Sequence, residues 1–416
     1  MPSLTRRPRQ PWRAAPRAAL CALVCVLCVA LVPAASAARR SGGSSARVPQ
    51  GFFGTVLGDP VFPSGTAPVL SRQLDLMVSS GVEGLRVVFD WAAAQPYRTW
   101  SDVPPGQRQL FSSDGVDQVP TDFTALDALV RGAAQRHLSV LPVIIDAPQW
   151  DAQSYKGAAV PVPLHDAGYA AFAKALVLRY GPHGKFWSQP GLPAFPITAW
   201  QVWNEPNVQA FWPQPFVRRY LALLRTARAA IRSADPHARI VLAGLANYSW
   251  KALRQIYAVR GARGLFDVVG LHPYTKTPQG VITILGYARR VMLAAGDGAK
   301  PMIADEISWP SSKGKTPHNV GYDFDTTEAG QAHNIAKVLP LLAANRARLH
   351  LVAVYYYTWA SIEVPNGLAF TYAGLLKLQH GQYVRKPAFF AFRRAALGLE
   401  RCHAKGALAD RCSRPY

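Results

Sequence analysis

Eight short apolar runs punctuate this chain, and the stretches between them limit the architectures open to it. The runs are Phe52–Leu57, Gly84–Phe89, Ser139–Ile145, Ile197–Trp203, Arg239–Ala243, Phe266–Leu271, Pro301–Ala304 and Leu351–Tyr357. Each is apolar nearly throughout rather than alternating, as parallel strands covered on both faces are. Helical periodicity fills the intervals. In one, Phe123, Leu126, Leu129, Val130 and Ala133 share a face behind Thr121, a candidate N-cap. In another, Tyr220, Leu223, Leu224, Ala227 and Ile231 line up, and the pattern stops before Asp235-Pro236. Eight such units over residues 51–398 predict an α/β fold, a (β/α)8 TIM barrel in a single domain. The competing doubly wound sheet would carry a Gly-rich nucleotide loop after an early strand, and none is present.

The flanks read differently. Arg6, Arg7, Arg9, Arg13 and Arg17 precede the apolar run Ala18–Val32 and then Ala35-Ser36-Ala37, so residues 1–37 are expected to be a secretory signal peptide. The run falls short of the roughly 20 apolar residues of a spanning helix; an uncleaved N-terminal anchor is the alternative. Residues 38–50 form a Ser/Gly/Arg linker. Beyond the signal segment no membrane contact is expected. Export places Cys402 and Cys412, in the tail 399–416, in an oxidising compartment, where a short-loop disulfide or two free thiols are the choices.

Charge narrows the function classes. The formal net charge is +22, and losing the five arginines of residues 1–37 lowers it to +17. The basic residues are scattered without a block of like charge, so a solvated surface is preferred over a nucleic-acid partner. The ten His show no HExxH or paired metal spacing, which leaves a catalytic metal without support. Neither a Gly-x-Ser-x-Gly elbow nor a phosphate-cradling loop is present, and no cofactor is expected.

The longest inserts, Trp91–Pro120, Ala147–His165 and Ile307–Thr327, all follow strand C-termini, the face where barrel sites assemble. Glu205 follows the fourth strand and Glu306 the seventh, so both carboxylates are placed at the mouth. Two such carboxylates support glycoside hydrolysis, one attacking the anomeric carbon and the other moving the proton. Asn204 is a candidate donor to a sugar 2-hydroxyl. Tyr274 is a candidate to hold the nucleophile, with His272 beside it. Arg86, inside the second strand, needs an anion, and Glu306, Asp90 and Glu83 are the options. Trp359 is a candidate sugar platform, with Trp150, Trp212, Trp309 and Tyr357 as further aromatic candidates.

These strand ends, WNEPN, RVVFDW, HPY, Glu306 followed by Ser-Trp, and YYTW, together with KPAFFAF at residues 386–392, resemble clan A glycoside hydrolases, families 5 and 39 nearest. The resemblance spans residues 50–398. It implies a glycoside hydrolase acting on a β-linked glycoside, oligosaccharide or polysaccharide, and with the expected signal peptide the enzyme is expected to be secreted, as a monomer. Within it, Glu205 is acid/base and Glu306 nucleophile of a retaining mechanism, and Arg86, Asn204, His272, Tyr274, Trp359 and Trp150 serve the substrate. The sequence departs from the family where Asp305 stands beside Glu306 in place of the usual Thr. Strand alternation then predicts that Asp305 points away from the mouth. The alternative functions are a barrel that binds carbohydrate without turnover, and a basic cell-surface protein.

Overall fold

The computed structural model describes residues 47–114, 116–317 and 323–416. The expected signal peptide and the linker through residue 46 lie outside the described residues. Within them the eight apolar runs become eight parallel strands. They are β1 (Phe53–Leu57), β2 (Gly84–Asp90), β3 (Ser139–Ile145), β4 (Ala199–Val202), β5 (Arg239–Leu242), β6 (Val269–Leu271), β7 (Met302–Ile307) and β8 (Leu351–Tyr356). The hydrogen-bonded order runs β5-β4-β3-β2-β1-β8-β7-β6. Single bridges, Val241 to Val268 and Leu245 to Leu271, join β5 to β6 and complete the ring. The fold is a (β/α)8 barrel.

Helices α1 (Ala67–Ser79), α2 (Thr124–Ala134), α3 (Asp166–Tyr180), α4 (Val217–Ala234), α5 (Ser249–Tyr257), α6 (Pro278–Ala294), α7 (Glu328–Leu349) and α8 (Pro387–Glu400) surround it. The apolar stripe of α4 buries Tyr220, Leu221, Leu223, Leu224, Ala227 and Ile231 against the strands, and Asp235 with Pro236 behind it ends the helix. Helix α2 buries Leu126, Leu129, Val130 and Ala133 as its periodicity requires. Its start differs from expectation. Asp122 Oδ1 accepts from the Thr124 amide, while the Thr121 hydroxyl accepts from Gln95 Nε2. Inside the ring, Leu141, Val241, Val268, Ile303, Ala353 and Tyr355 fill a separate small core below the mouth.

Two additions lie beyond the eight units. After β8 the chain makes a three-stranded sheet of β9 (Ala360–Ser361), β10 (Leu376–Gln379) and β11 (Gln382–Arg385). The tail is ordered too. β12 (Cys402–Lys405) and β13 (Cys412–Pro415) pair antiparallel, and Cys402 and Cys412 are disulfide-bonded with Cα atoms 5.4 Å apart. At the same end, Lys405 Nζ meets Glu83 Oε1 at 2.6 Å and Glu400 Oε2 at 2.9 Å, tying the hairpin to the barrel floor. The Val48 amide donates to Leu399 O, so the described end of the linker runs against α8. Among the described residues no helix is long and apolar enough to cross a membrane.

The disulfide closes a short loop, so replacing both cysteines by Ser should cost about 2–3 kcal/mol, most of it through the freed unfolded chain. Urea unfolding of the double variant beside the parent measures this. Because Lys405 still holds the hairpin to Glu83 and Glu400, the barrel itself should remain folded.

Candidate active site

The site begins where β4 ends. Trp203 has φ 71° and Glu205 φ 45°, on either side of Asn204. Left-handed backbone at non-glycine residues is uncommon and costs about 1–3 kcal/mol each, a cost that persists only where surroundings enforce it. Here Trp203 is fully buried, its amide donates to Ile144 O, and the Glu205 amide donates to Gly244 O. The turn delivers two successive polar side chains, Asn204 and Glu205, to the mouth.

Across the mouth, β7 carries Asp305 and Glu306 inside the strand rather than after it. Its register against β8 pairs Ala304 with Val354 and Ile307 with Tyr356. One extra residue in β7 makes a bulge, which breaks the alternation of side chains. Both carboxylates therefore turn inward, and the expectation that Asp305 faces away fails for this reason. Asp305 is fully buried and lies deeper; Glu306 keeps 10 % of its side chain exposed.

Arg86 links the two sides. Its Nη1 donates to Glu306 Oε1 at 2.6 Å, Nη2 to Asn204 Oδ1 at 2.7 Å, and Nε to Gln201 Oε1 at 2.8 Å. Asp305 Oδ2 is 3.7 Å from Nε. The other two sequence options for Arg86 are engaged elsewhere: Glu83 with Lys405, and Asp90 capping the Ala93 amide. Tyr274 donates to Glu306 Oε2 at 2.6 Å, so each oxygen of Glu306 has a fixed donor. With its Oδ1 held by Arg86, Asn204 keeps its amide NH2 to donate outward.

His272 lies beneath these groups. Its Nδ1 is 2.6 Å from Glu205 Oε1, and its Nε2 is 3.6 Å from Asp305 Oδ1. Being fully buried, it cannot touch a substrate, so its expected substrate-binding role becomes one of positioning Glu205. Burial opposes the imidazolium, but the charges of Glu306 and Asp305 and the hydrogen bond to Glu205 outweigh it and push the pKa up to about 10. Burial likewise opposes the Asp305 carboxylate, yet His272, Arg86 and Gln201 hold its pKa below the usual value. Gly244 and Gly270 make room. A Cβ at Gly244 would strike His272 Nε2 and Asp305 Oδ2, and one at Gly270 would lie 2.6 Å from Asp305 Oδ2.

This charge arrangement has a stability signature. A histidine whose folded pKa is raised stabilises fully below its unfolded pKa of about 6.5 and loses that contribution as pH climbs towards about 10. The difference in urea midpoint between the parent and His272→Gln should therefore shrink between pH 6.5 and pH 10. A difference constant with pH would show that His272 is held neutral.

Gln201 is a site residue that sequence reasoning missed. Its Nε2 donates to Asp305 Oδ2 at 2.5 Å and to Leu242 O at 3.1 Å, joining Asp305 to Arg86. The available signal was a lone amide inside the apolar strand Trp200–Trp203.

Oxygens of Glu205 and Glu306, with a ring nitrogen of His272, all lie within 4.8 Å of one another. Such a trio has the atom types to ligate a metal. However, Arg86, Tyr274 and His272 already direct their protons at these carboxylates, a donor set built for anions rather than for a cation.

No protein-family model matches the sequence, and no curated protein matches it. Solved structures are similar. They include a family 39 glycoside hydrolase from the gut symbiont Bacteroides cellulosilyticus WH2, at 17 % identity and TM-score 0.57 over 86 % of this chain and 65 % of that one. A monomeric β-xylosidase from Caulobacter crescentus CB15 matches at 18 % identity and TM-score 0.57, over 84 % of this chain and 68 % of that one. A hyperthermophilic β-glucosidase from Pyrococcus furiosus matches at 13 % and 0.56, over 85 % and 97 %. The chain thus spans just under two thirds of the first of these proteins. These likenesses show a shared fold, the (β/α)8 barrel.

At the mouth of the barrel the aromatic candidates divide. Trp359 is fully buried, its Nε1 donates to Gln73 Oε1 at 2.8 Å, and its ring packs on Phe389, so no face is left for a sugar. The residue that reaches the mouth from the end of β8 is Tyr357, which lines a cavity there. Trp212 and Trp309 are also buried. Trp150 is half-buried, its Nε1 bonded to Gln95 O and its ring edge-on to Trp91, which makes it a wall of the β3 loop. At the end of β3, burial first and the charge of Asp90 second push Asp146 up to about 6.

Proposed function

We propose that this chain is a secreted retaining glycoside hydrolase acting on a β-linked substrate. The observation that carries this reading is the approach of Glu205 and Glu306 oxygens to within 4.8 Å. Retaining double displacement uses carboxyl groups about 5–5.5 Å apart, whereas inversion needs room for a water and about 6.5–9.5 Å.

In this mechanism Glu306 attacks the anomeric carbon. Arg86 and Tyr274 each hold one of its oxygens and so fix its orientation for attack. Glu205, with Oε1 held by His272, delivers a proton from Oε2 to the leaving oxygen, then takes one from the water that cleaves the glycosyl-enzyme. The outward amide of Asn204 donates to the sugar 2-hydroxyl, a bond that strengthens in the transition state. Asp305 balances the two buried cations, so the site holds its geometry without substrate. The basic and apolar N-terminal segment supports export, and the Cys402–Cys412 disulfide suits an oxidising compartment.

Incubation with a panel of para-nitrophenyl β-glycosides tests the reading. Nitrophenol released from at least one of them supports it. Binding across the panel with no release would instead assign the barrel to carbohydrate binding without turnover.

A further inference from the structure

A cavity of about 820 Å³ opens at the C-terminal ends of β8, β1 and β2. It adjoins the proposed site through aromatic rings. Tyr357 and Phe370 line it with centroids 5.5 Å apart, and Phe370 packs at 5.1 Å on Tyr274, the residue that holds Glu306. Its position in the ring gives it a side of the substrate. The cavity is centred on β1, two strands from β7, which carries Glu306, and three strands from β4, which carries the proton donor Glu205. The leaving group must lie by Glu205. The cavity therefore faces the part of the substrate that stays on the nucleophile, the glycone.

The lining is unlike a sugar subsite. Its wall is aliphatic, and Val88, Ile362, Val364 and Leu368 are 47 %, 49 %, 44 % and 61 % exposed there. Apart from the Tyr357 hydroxyl, its polar side chains each bond to the backbone through one atom. Thr358 and Thr371 donate to Val56 O and Leu368 O, and Ser361 accepts from the Gly374 amide. Asp59, Asp90 and Asp122 accept from the amides of Ser64, Ala93 and Thr124. Sugar hydroxyls laid against the aliphatic side of this wall, around Val88, Ile362, Val364 and Leu368, would be buried unpaired, which is costly. In a chain of net charge +22, the lining holds no Lys, Arg or His, so an anionic occupant has no partner.

We propose that this cavity is a subsite for an uncharged apolar substituent on the glycone, a short acyl ester or alkyl ether, and so that the natural substrate is an acylated or alkylated glycoside. This rests on the hydrolase reading for the direction of the substrate, while the cavity and its lining stand apart from it.

The test compares para-nitrophenyl β-glucoside with the same glucoside hexanoylated on its primary hydroxyl. Dissociation constants are measured by calorimetry on the Glu306→Ala protein, and kcat/KM on the parent. The acylated form should bind about tenfold or more tighter, as apolar groups do in a hydrophobic pocket. The double variant Ile362→Asn/Leu368→Asn should bring the ratio between the two ligands close to one. Both side chains are exposed, so the change spares the core; Ala125→Trp, which fills the cavity from α2, should act alike. Tighter binding of the acylated form with no turnover of either glucoside would keep the subsite and remove the hydrolase reading. Equal affinity for both forms, or a larger gain from a chain ending in an ammonium group, would overturn the subsite.

Discussion

Replacing Glu306 by Ala should lower turnover of an aryl β-glycoside by roughly ten-thousand-fold or more, because the covalent route is lost and no other carboxylate can take it. Glu205 sits at the end of β4 with Oε1 bound to His272, and Asp305 is fully buried. The variant should still fold. Arg86 keeps Gln201 and Asn204 as hydrogen-bond partners and Asp305 as its counter-charge, so the cation is not abandoned in the core. Azide should recover part of the rate by entering the vacated space, and its product should be the α-glycosyl azide. Recovery as the β-azide would mean that Glu306 is the acid/base and Glu205 the nucleophile. Undiminished activity would remove both from the mechanism.

The second large effect is on stability. Arg86→Leu keeps volume and apolar packing but strips three hydrogen bonds from one buried cation. Glu306 and Asp305 would then face each other's charge with His272 as the remaining cation beside them among the described residues. Breaking a buried ion pair on one side costs about 3–5 kcal/mol, because the stranded charge has neither water nor partner. The urea midpoint should fall accordingly, and turnover should drop because Glu306 loses the donor that fixes its Oε1. Arg86→Lys should recover only part of both losses. A single ammonium cannot reach Glu306, Asn204 and Gln201 together. An unchanged midpoint in Arg86→Leu would mean that Tyr274 and His272 alone stabilise the carboxylates.

The barrel was legible in the sequence because it depends on a long-range rhythm that single substitutions do not hide. All eight apolar runs lie on strands, although the sixth starts three residues late, at Val269, and the seventh runs on to Ile307. Glu205 and Glu306 were legible as strand-end carboxylates. What escaped was anything decided by contact rather than by spacing. The inward turn of Asp305 comes from a bulge, and a bulge needs a partner strand to exist. His272 and Trp359 look like ligand contacts by type, yet both lie fully buried, which only packing could reveal. Tyr357, two residues earlier, reaches the mouth instead. The β9–β11 sheet and the ordered tail escaped because their strands are short and mixed in polarity.

The central claim is double displacement by a Glu205–Glu306 pair, and the stereochemistry of the first product tests it most directly. Proton NMR should follow an aryl β-glycoside that the chain cleaves, taken early enough to precede mutarotation. Two inversions restore the starting configuration, so the β-anomer of the free sugar should appear first and the α-anomer only later. The α-anomer appearing first would mean a single displacement by water and would contradict the account.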